Sequence, residues 1–286
     1  GDIRMTVTRY PIAAIQMTSG KEPDDNLRQA GALLTEARKK GACLAVLPEN
    51  FAAYGGDYRA LGERHDELVS WLCDQARSLD MAIIGGSLPA LQRPDGQPVP
   101  SPLVRTCSIA VSAAGEPLAR YDKLHLFDAD VQDAQGRYRE SDFFEPGQEV
   151  VMTSVGDLQV GMAICYDLRF PALAQRLVAA GAQLLVYPSA FTAVTGAAHW
   201  QLLLRATAVQ TGCYVLGANQ CGQHGPRRAT YGHSMLVDPW GRVVDSLGDS
   251  PGALVAELDL ATMNELRQRM PVQQHQRFRI EGPYDT

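Results

Sequence analysis

Cys165, Glu49 and Lys123 are the residues of this chain whose types and surroundings could together do chemistry. Cys165 closes the apolar run Val160-Gly161-Met162-Ala163-Ile164 and is followed by Tyr166-Asp167-Leu168-Arg169-Phe170 and then Pro171. A thiol where a strand hands over to a helix stands at an edge, near amides that can hold a developing oxyanion. A nearby helix N-terminus or cation would lower its pKa. Cysteine is also among the most buried residue types, so position alone leaves a plain core residue as the alternative. Glu49 follows an apolar run in Leu47-Pro48-Glu49-Asn50-Phe51, at the rim where α/β active sites assemble. Its alternative is an ordinary solvated loop glutamate. Lys123 sits in Tyr121-Asp122-Lys123-Leu124-His125-Leu126-Phe127, hemmed in by leucines and aromatics. A partly buried ammonium must find acidic partners, and Glu49 and Glu140 are candidates by type. Together a thiol, a lysine and carboxylates suit nucleophilic acyl chemistry without histidine. Glu49 would take the thiol proton and later activate water, while Lys123 would stabilise the charge on the tetrahedral intermediate.

Other chemistries find less support. Gly232-His233-Ser234 is followed by Met235 and Leu236, so no serine-hydrolase elbow is encoded. There is no phosphate-binding glycine loop of either common kind. The six histidines never pair at metal-ligand spacing with one another or with cysteine, so no metal is expected. With 26 basic and 32 acidic residues the formal charge is -6, which excludes a strongly basic nucleic-acid footprint and disfavours an anionic membrane surface. No apolar run approaches a spanning helix. The six cysteines are scattered without a CxxC pair and read as reduced core residues, which points to the cytosol.

The elements that must position these groups follow an α/β pattern. Short apolar runs at residues 12–17, 44–47, 81–87, 106–111, 158–165, 184–187, 213–217, 234–237 and 254–257 predict strands, most of them closed by Gly, Pro, Ser or Asp. Helices are predicted from a cap at Asp24 or Asp25 to Gly41, over residues 66–79, from Pro171 to about Gly181, over residues 199–211 and over residues 260–269. Residues 92–102 and 128–147 have low propensity, yet neither is long enough for a linker. One domain over residues 5–286, with two packed sheets and outer helices, accounts for this pattern. Residues 1–4, ahead of Met5, read as a cloning remnant. Residues 271–286 show little periodicity and form a tail that packs on a partner subunit or frays.

At the level of motifs the chain resembles the nitrilase superfamily of carbon–nitrogen hydrolases. The resemblance rests on Pro48-Glu49-Asn50, on the segment from Tyr121 to Phe127, and on Gly161-Met162-Ala163-Ile164-Cys165-Tyr166-Asp167-Leu168-Arg169-Phe170-Pro171. Their order and spacing match the family's Glu–Lys–Cys triad, over nearly the whole chain. The resemblance implies Glu49 as general base, Lys123 as oxyanion stabiliser and Cys165 as nucleophile. It also implies Glu140, in Arg139-Glu140-Ser141, as a second glutamate that orients the substrate nitrogen and the lysine. It further implies a four-layer αββα sandwich of two mixed sheets with outer helices, a homodimer or higher homo-oligomer, and neither cofactor nor metal.

Tyr166-Asp167 after the cysteine is the amidase-type version of the motif. Residues 187–191, 195–200, 219–222 and 231–241 resemble the branch that holds omega-amidases and deaminated glutathione amidases, the last two segments being closer to the second group. The implied substrate is a small-molecule amide, deaminated glutathione first and alpha-ketoglutaramate as the alternative. Tyr166, Arg169, Phe191 and Thr195 are the expected substrate-binding residues. Arg169 would meet a carboxylate or instead hold Asp167, and Phe191 would wall the acyl pocket or sit in the core. Arg227 and Arg228 would meet a substrate carboxylate or, as the default, form an exposed pair, and His125, His199 and His233 read as packing and hydrogen-bonding residues. Two readings from other classes are a non-catalytic interaction protein on the same fold and a thiol redox sensor at Cys165. The intact Glu–Lys–Cys set disfavours both.

Overall fold

A computed structural model describes residues 7–283. The remnant expected at residues 1–4, and the last three residues of the tail, lie outside the described residues.

Two mixed sheets stack face to face. The first runs in the spatial order Gly252–Asp259, Arg9–Gln16, Leu44–Val46, Ala82–Ile84, Arg105–Val111, Leu88–Ala90, with Pro117–Asp122 also paired to Arg105–Val111. The second runs Val243–Ser246, Met235–Val237, Tyr214–Asn219, Leu184–Ser189, Leu158–Met162, Met152–Val155. Parallel pairs occupy the middle of each sheet, with Ile12 opposite Leu44 and Leu44 opposite Ala82 in one, and Val160 opposite Leu184 and Leu184 opposite Tyr214 in the other.

The strand Arg9–Gln16 shows why these runs are apolar throughout. Side chains alternate across a strand. Ile12 and Ala14 join a core shared with Val160, Val186 and Leu216 of the second sheet. Ala13 and Ile15 join another core with Ala30 and Leu34 of the helix Pro23–Lys39 and Leu68 and Leu72 of the helix His65–Leu79. Burial on both faces removes the polar alternation an exposed strand would show. The helices Pro171–Ala179 and Ala193–Thr211 cover the second sheet, where Gly217 admits the Trp200 ring: an added Cβ would lie 2.5 Å from it. The layers are therefore helix, sheet, sheet, helix, as the resemblance implied.

The differences from expectation have physical causes. The first helix starts at Pro23, with Asp24 and Asp25 in its first turn rather than at the cap, where carboxylates favour the positive end of the helix dipole. The strand expected over residues 158–165 ends at Met162, because the chain must turn to present Cys165. The helix expected from His199 starts six residues earlier, at Ala193, capped by Thr192. Val194 and Gly196 are weak helix formers, and Gly196 is required because Tyr231 leaves no room for a Cβ. The low-propensity stretch 128–147 contains a hairpin, Asp128–Asp130 with Arg137–Arg139, and the short turn Glu140–Asp142. All six cysteines are free, but Cys43 is exposed and Cys73 half-buried, so only four are core residues. The tail forms the short helix Val272–His275, and Gln273 and Gln276 bond to Gln210, Thr211 and Gln175 of this same chain.

Candidate active site

The parallel strands of both sheets end at one rim, and the reactive side chains are carried just past those ends. Glu49 follows Leu44–Val46, where Leu47 N–H still donates to the Ile84 carbonyl at 3.0 Å. Its turn is tight: Asn50 has a φ of 57° and donates its N–H to Ser87 Oγ at 2.8 Å. Gly86, with a φ of 57°, lies so close beneath that an added Cβ would sit 2.2 Å from the Pro48 carbonyl oxygen. Gln220 Nε2, from the second sheet's side, donates to the Glu49 carbonyl at 3.0 Å. Both sheets therefore hold the Glu49 backbone.

Lys123 follows the strand Pro117–Asp122, and its side chain is completely buried. Nζ donates to Glu49 Oε2 at 2.8 Å and lies 2.9 Å from Glu140 Oε1. Glu140 stands on the turn after the 128–139 hairpin and also accepts the Phe127 N–H at 3.3 Å. Burial alone would lower the lysine pKa, but Glu140 and Glu49 overturn that and hold the ammonium well above its ordinary value. Burial raises Glu140, with Lys123 opposing it.

Cys165 opens a short helical turn with a φ of 43°, a left-handed conformation that costs energy in any residue with a Cβ. Asp167, buried two residues on, pins that conformation. It accepts the Ile164 N–H at 2.8 Å, the Tyr121 hydroxyl at 2.6 Å and the His125 N–H at 3.2 Å, with His125 Nδ1 at 2.7 Å. Tyr121 and His125 flank Lys123, so one carboxylate ties the thiol's turn to the lysine's segment. Burial pushes the Cys165 thiol well above its usual range, and the Glu49 charge adds to this, while Lys123 and the Ala190 amide act against it. The free thiol is therefore protonated.

Glu49, Lys123, Glu140 and Cys165 line one cavity. Tyr166, Arg169, Phe191 and Thr195 line it too. Among the described residues, no group of three or more His, Cys, Asp or Glu side chains is arranged to hold a metal ion.

The model of a family described as carbon-nitrogen hydrolase matches residues 11–268. The chain belongs to that family. The hydrolase is 40% identical to a deaminated glutathione amidase of Yersinia enterocolitica over 93% of each chain. It is 35% identical to omega-amidase NIT2 of Danio rerio, over 95% of this chain and 96% of that one. Among solved structures it superposes on the C. elegans NitFhit protein with a TM-score of 0.84 and 35% identity, covering 96% of this chain and 66% of that one. A variant of the amidase from Nesterenkonia sp. matches with a TM-score of 0.76 and 27% identity, covering 94% of this chain and all of that one. That structure shows covalent addition of the acetamide moiety of fluoroacetamide at the active-site cysteine.

Some residues of the hydrolase's cavity depart from expectation. Arg169 does not hold Asp167: both its terminal nitrogens donate to His199 Nδ1 at 3.2 Å, and its guanidinium lies 5.1 Å from the centre of the Phe191 ring. Phe191 walls the cavity and packs on Trp200 at once, so the two readings of it were not exclusive. Thr195 stands in the first turn of the helix Ala193–Thr211, bonded to Thr192. His125 stacks on Phe170 at 3.7 Å, and His233 Nδ1 lies 2.7 Å from the Tyr231 carbonyl. Tyr54, Phe127, Tyr138 and Arg228 also line the cavity; sequence reasoning missed the first three and set Arg228's carboxylate role behind plain exposure. Arg227 is exposed as expected, but Arg228 turns inward. Arg227 lies in the bend between the paired strands 221–223 and 229–231, whereas Arg228 adjoins the returning strand, a difference that no local sequence pattern discloses.

Proposed function

We propose that the hydrolase is a cysteine-dependent amidase in which Cys165, Glu49, Lys123 and Glu140 are the catalytic residues. The observation that carries this reading is a fully buried lysine held between two carboxylates, in the cavity that also receives a protonated thiol. As Cys165 Sγ attacks the amide carbonyl, its proton passes to Glu49 and a C–S bond forms. Lys123 and the Tyr166 N–H stabilise the oxyanion, and Glu140 holds the ammonium and the substrate nitrogen in place. Glu49 returns the proton to the nitrogen, the C–N bond breaks, and the amine leaves a thioester. Glu49 then deprotonates a water, which releases the acid and restores the thiol.

The identity to deaminated glutathione amidases over almost the full length of both chains supports deaminated glutathione as substrate, ahead of alpha-ketoglutaramate. The family match across residues 11–268 supports a single domain. An outward apolar strip of Val194, Leu202 and Val209, beside Trp240, supports a homodimer or higher homo-oligomer. Six unpaired cysteines support a reducing, cytoplasmic setting. No described helix is long and apolar enough to cross a membrane.

The test is a side-by-side hydrolysis assay on deaminated glutathione and alpha-ketoglutaramate, with Cys165→Ala as control. Preference for the first supports the reading, and preference for the second moves the chain to the omega-amidases. Turnover of either by Cys165→Ala would overturn the mechanism.

A further inference from the structure

Arg228 is the anomaly of the cavity. Its Nε is buried and has no hydrogen-bond partner, and among the described residues no carboxylate lies within ion-pair distance of its guanidinium. Two ring faces hold it instead: the guanidinium carbon lies 5.0 Å from the centre of Tyr54 and 4.9 Å from that of Tyr138. Tyr54 is in turn stacked on His224 at 4.3 Å, which stiffens this wall. Aromatic faces position a cation and cover its planes, but they leave the in-plane Nε–H unanswered. A half-desolvated guanidinium with an unpaired donor is costly unless an anion arrives to meet it.

The position of Arg228 says which part of a substrate that anion belongs to. A second recess adjoins the catalytic cavity, and Arg228, Asn50 and Glu140 line both. Arg137, Arg139 and Asp142 also border the recess, with Arg139 paired to Asp130 at 3.1 Å. Arg169 lines only the first cavity, on the Phe191 wall beside Thr195. In the mechanism above Glu49 hands its proton to the leaving nitrogen, and Asn50 follows Glu49 directly. The amine half of the substrate therefore leads past Asn50 and Glu140 into the adjoining recess, while the acyl half stays on the Arg169 side.

We propose that Arg228 is a specificity-determining residue that binds a carboxylate on the leaving amine, so that the adjoining recess is a subsite for amino-acid or short-peptide leaving groups. This rests on the amidase reading and extends it. A substrate that releases only ammonia leaves Arg228 unanswered, whereas an amide of an amino acid or dipeptide with a free C-terminal carboxylate fills both cavities and meets Arg228.

The experiment compares three amides on the wild type, Arg228→Met and Arg228→Lys: deaminated glutathione, its C-terminal carboxamide, and alpha-ketoglutaramate. Met keeps much of the side-chain volume, and Lys keeps the charge. Arg228→Met is expected to cut the kcat/KM ratio of the free acid over its carboxamide by about 10–100-fold, mostly through KM, with partial recovery in Arg228→Lys. Equal losses on all three amides would overturn the proposal, since Arg228 would then only shape the cavity. An unchanged ratio would overturn it as well. The amidase reading fails separately, if the wild type turns over none of the three. Calorimetry with cysteinylglycine then decides: Cys165→Ala should bind this dipeptide at least tenfold more tightly than Cys165→Ala/Arg228→Met. Equal binding, or none to either, would refute the Arg228 assignment whatever the turnover.

Discussion

Arg93, Arg105 and Arg120 reach carboxylates behind Lys123, whereas Arg169 and Arg228, in front of it, reach none. In the first group Arg93 grips Glu145 with two nitrogens at 2.6 and 3.0 Å. Arg105, almost fully buried, bridges Glu145 at 2.5 Å and Asp122 at 2.9 Å, and Arg120 closes on Asp122 at 2.7 Å. Asp122 is the residue before Lys123, so this network fixes the strand end from which the lysine projects. In the second group Arg169 leans on a histidine and Arg228 on two tyrosine rings. The same side chain is thus used in two ways. Where every donor is answered within the chain, the arginine is a strut. Where donors are left open beside a cavity, it is aimed at something that comes and goes.

The reactive centre follows the strut pattern, and the largest expected effects come from breaking it. Glu49→Gln keeps a hydrogen-bonding partner for Lys123 but removes the carboxylate proposed as the base for both steps. A loss of about 10³–10⁴ in kcat is expected, measured under saturating substrate. Lys123→Ala should lose about 10²–10³ in kcat while substrate binding, titrated in a Cys165→Ala background, persists. Near-normal turnover in Lys123→Ala would remove the lysine from the mechanism.

One step out, Asp167→Asn preserves shape but replaces an acceptor by a donor facing groups that themselves donate. The Cys165 turn, with its left-handed φ, depends on those bonds. The expected result is a loss of about 10–100-fold in kcat with little change in KM, and about 2–3 kcal/mol of stability from unsatisfied buried groups. A variant that loses stability but keeps full kcat would show that Asp167 serves the fold and not the thiol.

The sequence disclosed the parts of this comparison unevenly. Buried parallel strands were readable because both their faces are apolar. Glu49, Lys123 and Cys165 stood out because reactive types lay just beyond such runs, and motif order joined them. Asp167 was noticed only as a possible partner of Arg169, since nothing local shows that a carboxylate two residues after a cysteine reaches back to Tyr121 and His125. The 128–139 hairpin was missed because its strands are three residues long and polar, which leaves no periodicity to detect. Arg228's carboxylate role was ranked behind plain exposure because two adjacent arginines look alike in composition, and only the fold separates the bend from the strand's approach. What stayed hidden depends on contacts across long sequence separations.

The smallest expected effect tests the strut group itself. Hydrogen bonds from Arg93, with Arg105 beside it, pull the Glu145 carboxyl down from about 4.5 to about 2. A carboxylate depressed in the folded state contributes fully above its unfolded pKa, and that contribution fades as pH falls from about 4.5 towards 2. Glu145→Gln should therefore cost about 2 kcal/mol at pH 7, between the values for exposed and buried pairs, because Arg105 keeps Asp122 but loses one partner. Urea unfolding at pH 7, 5 and 3 should show the gap between wild type and variant unchanged from pH 7 to 5 and narrower at pH 3. The kcat at pH 7 should stay within about threefold of wild type if the network acts on stability alone. A larger fall in kcat, with KM unmoved, would instead mean that the struts hold Lys123 closely enough to set the rate. That result would erase the functional half of the distinction between the two arginine groups while leaving the structural half intact.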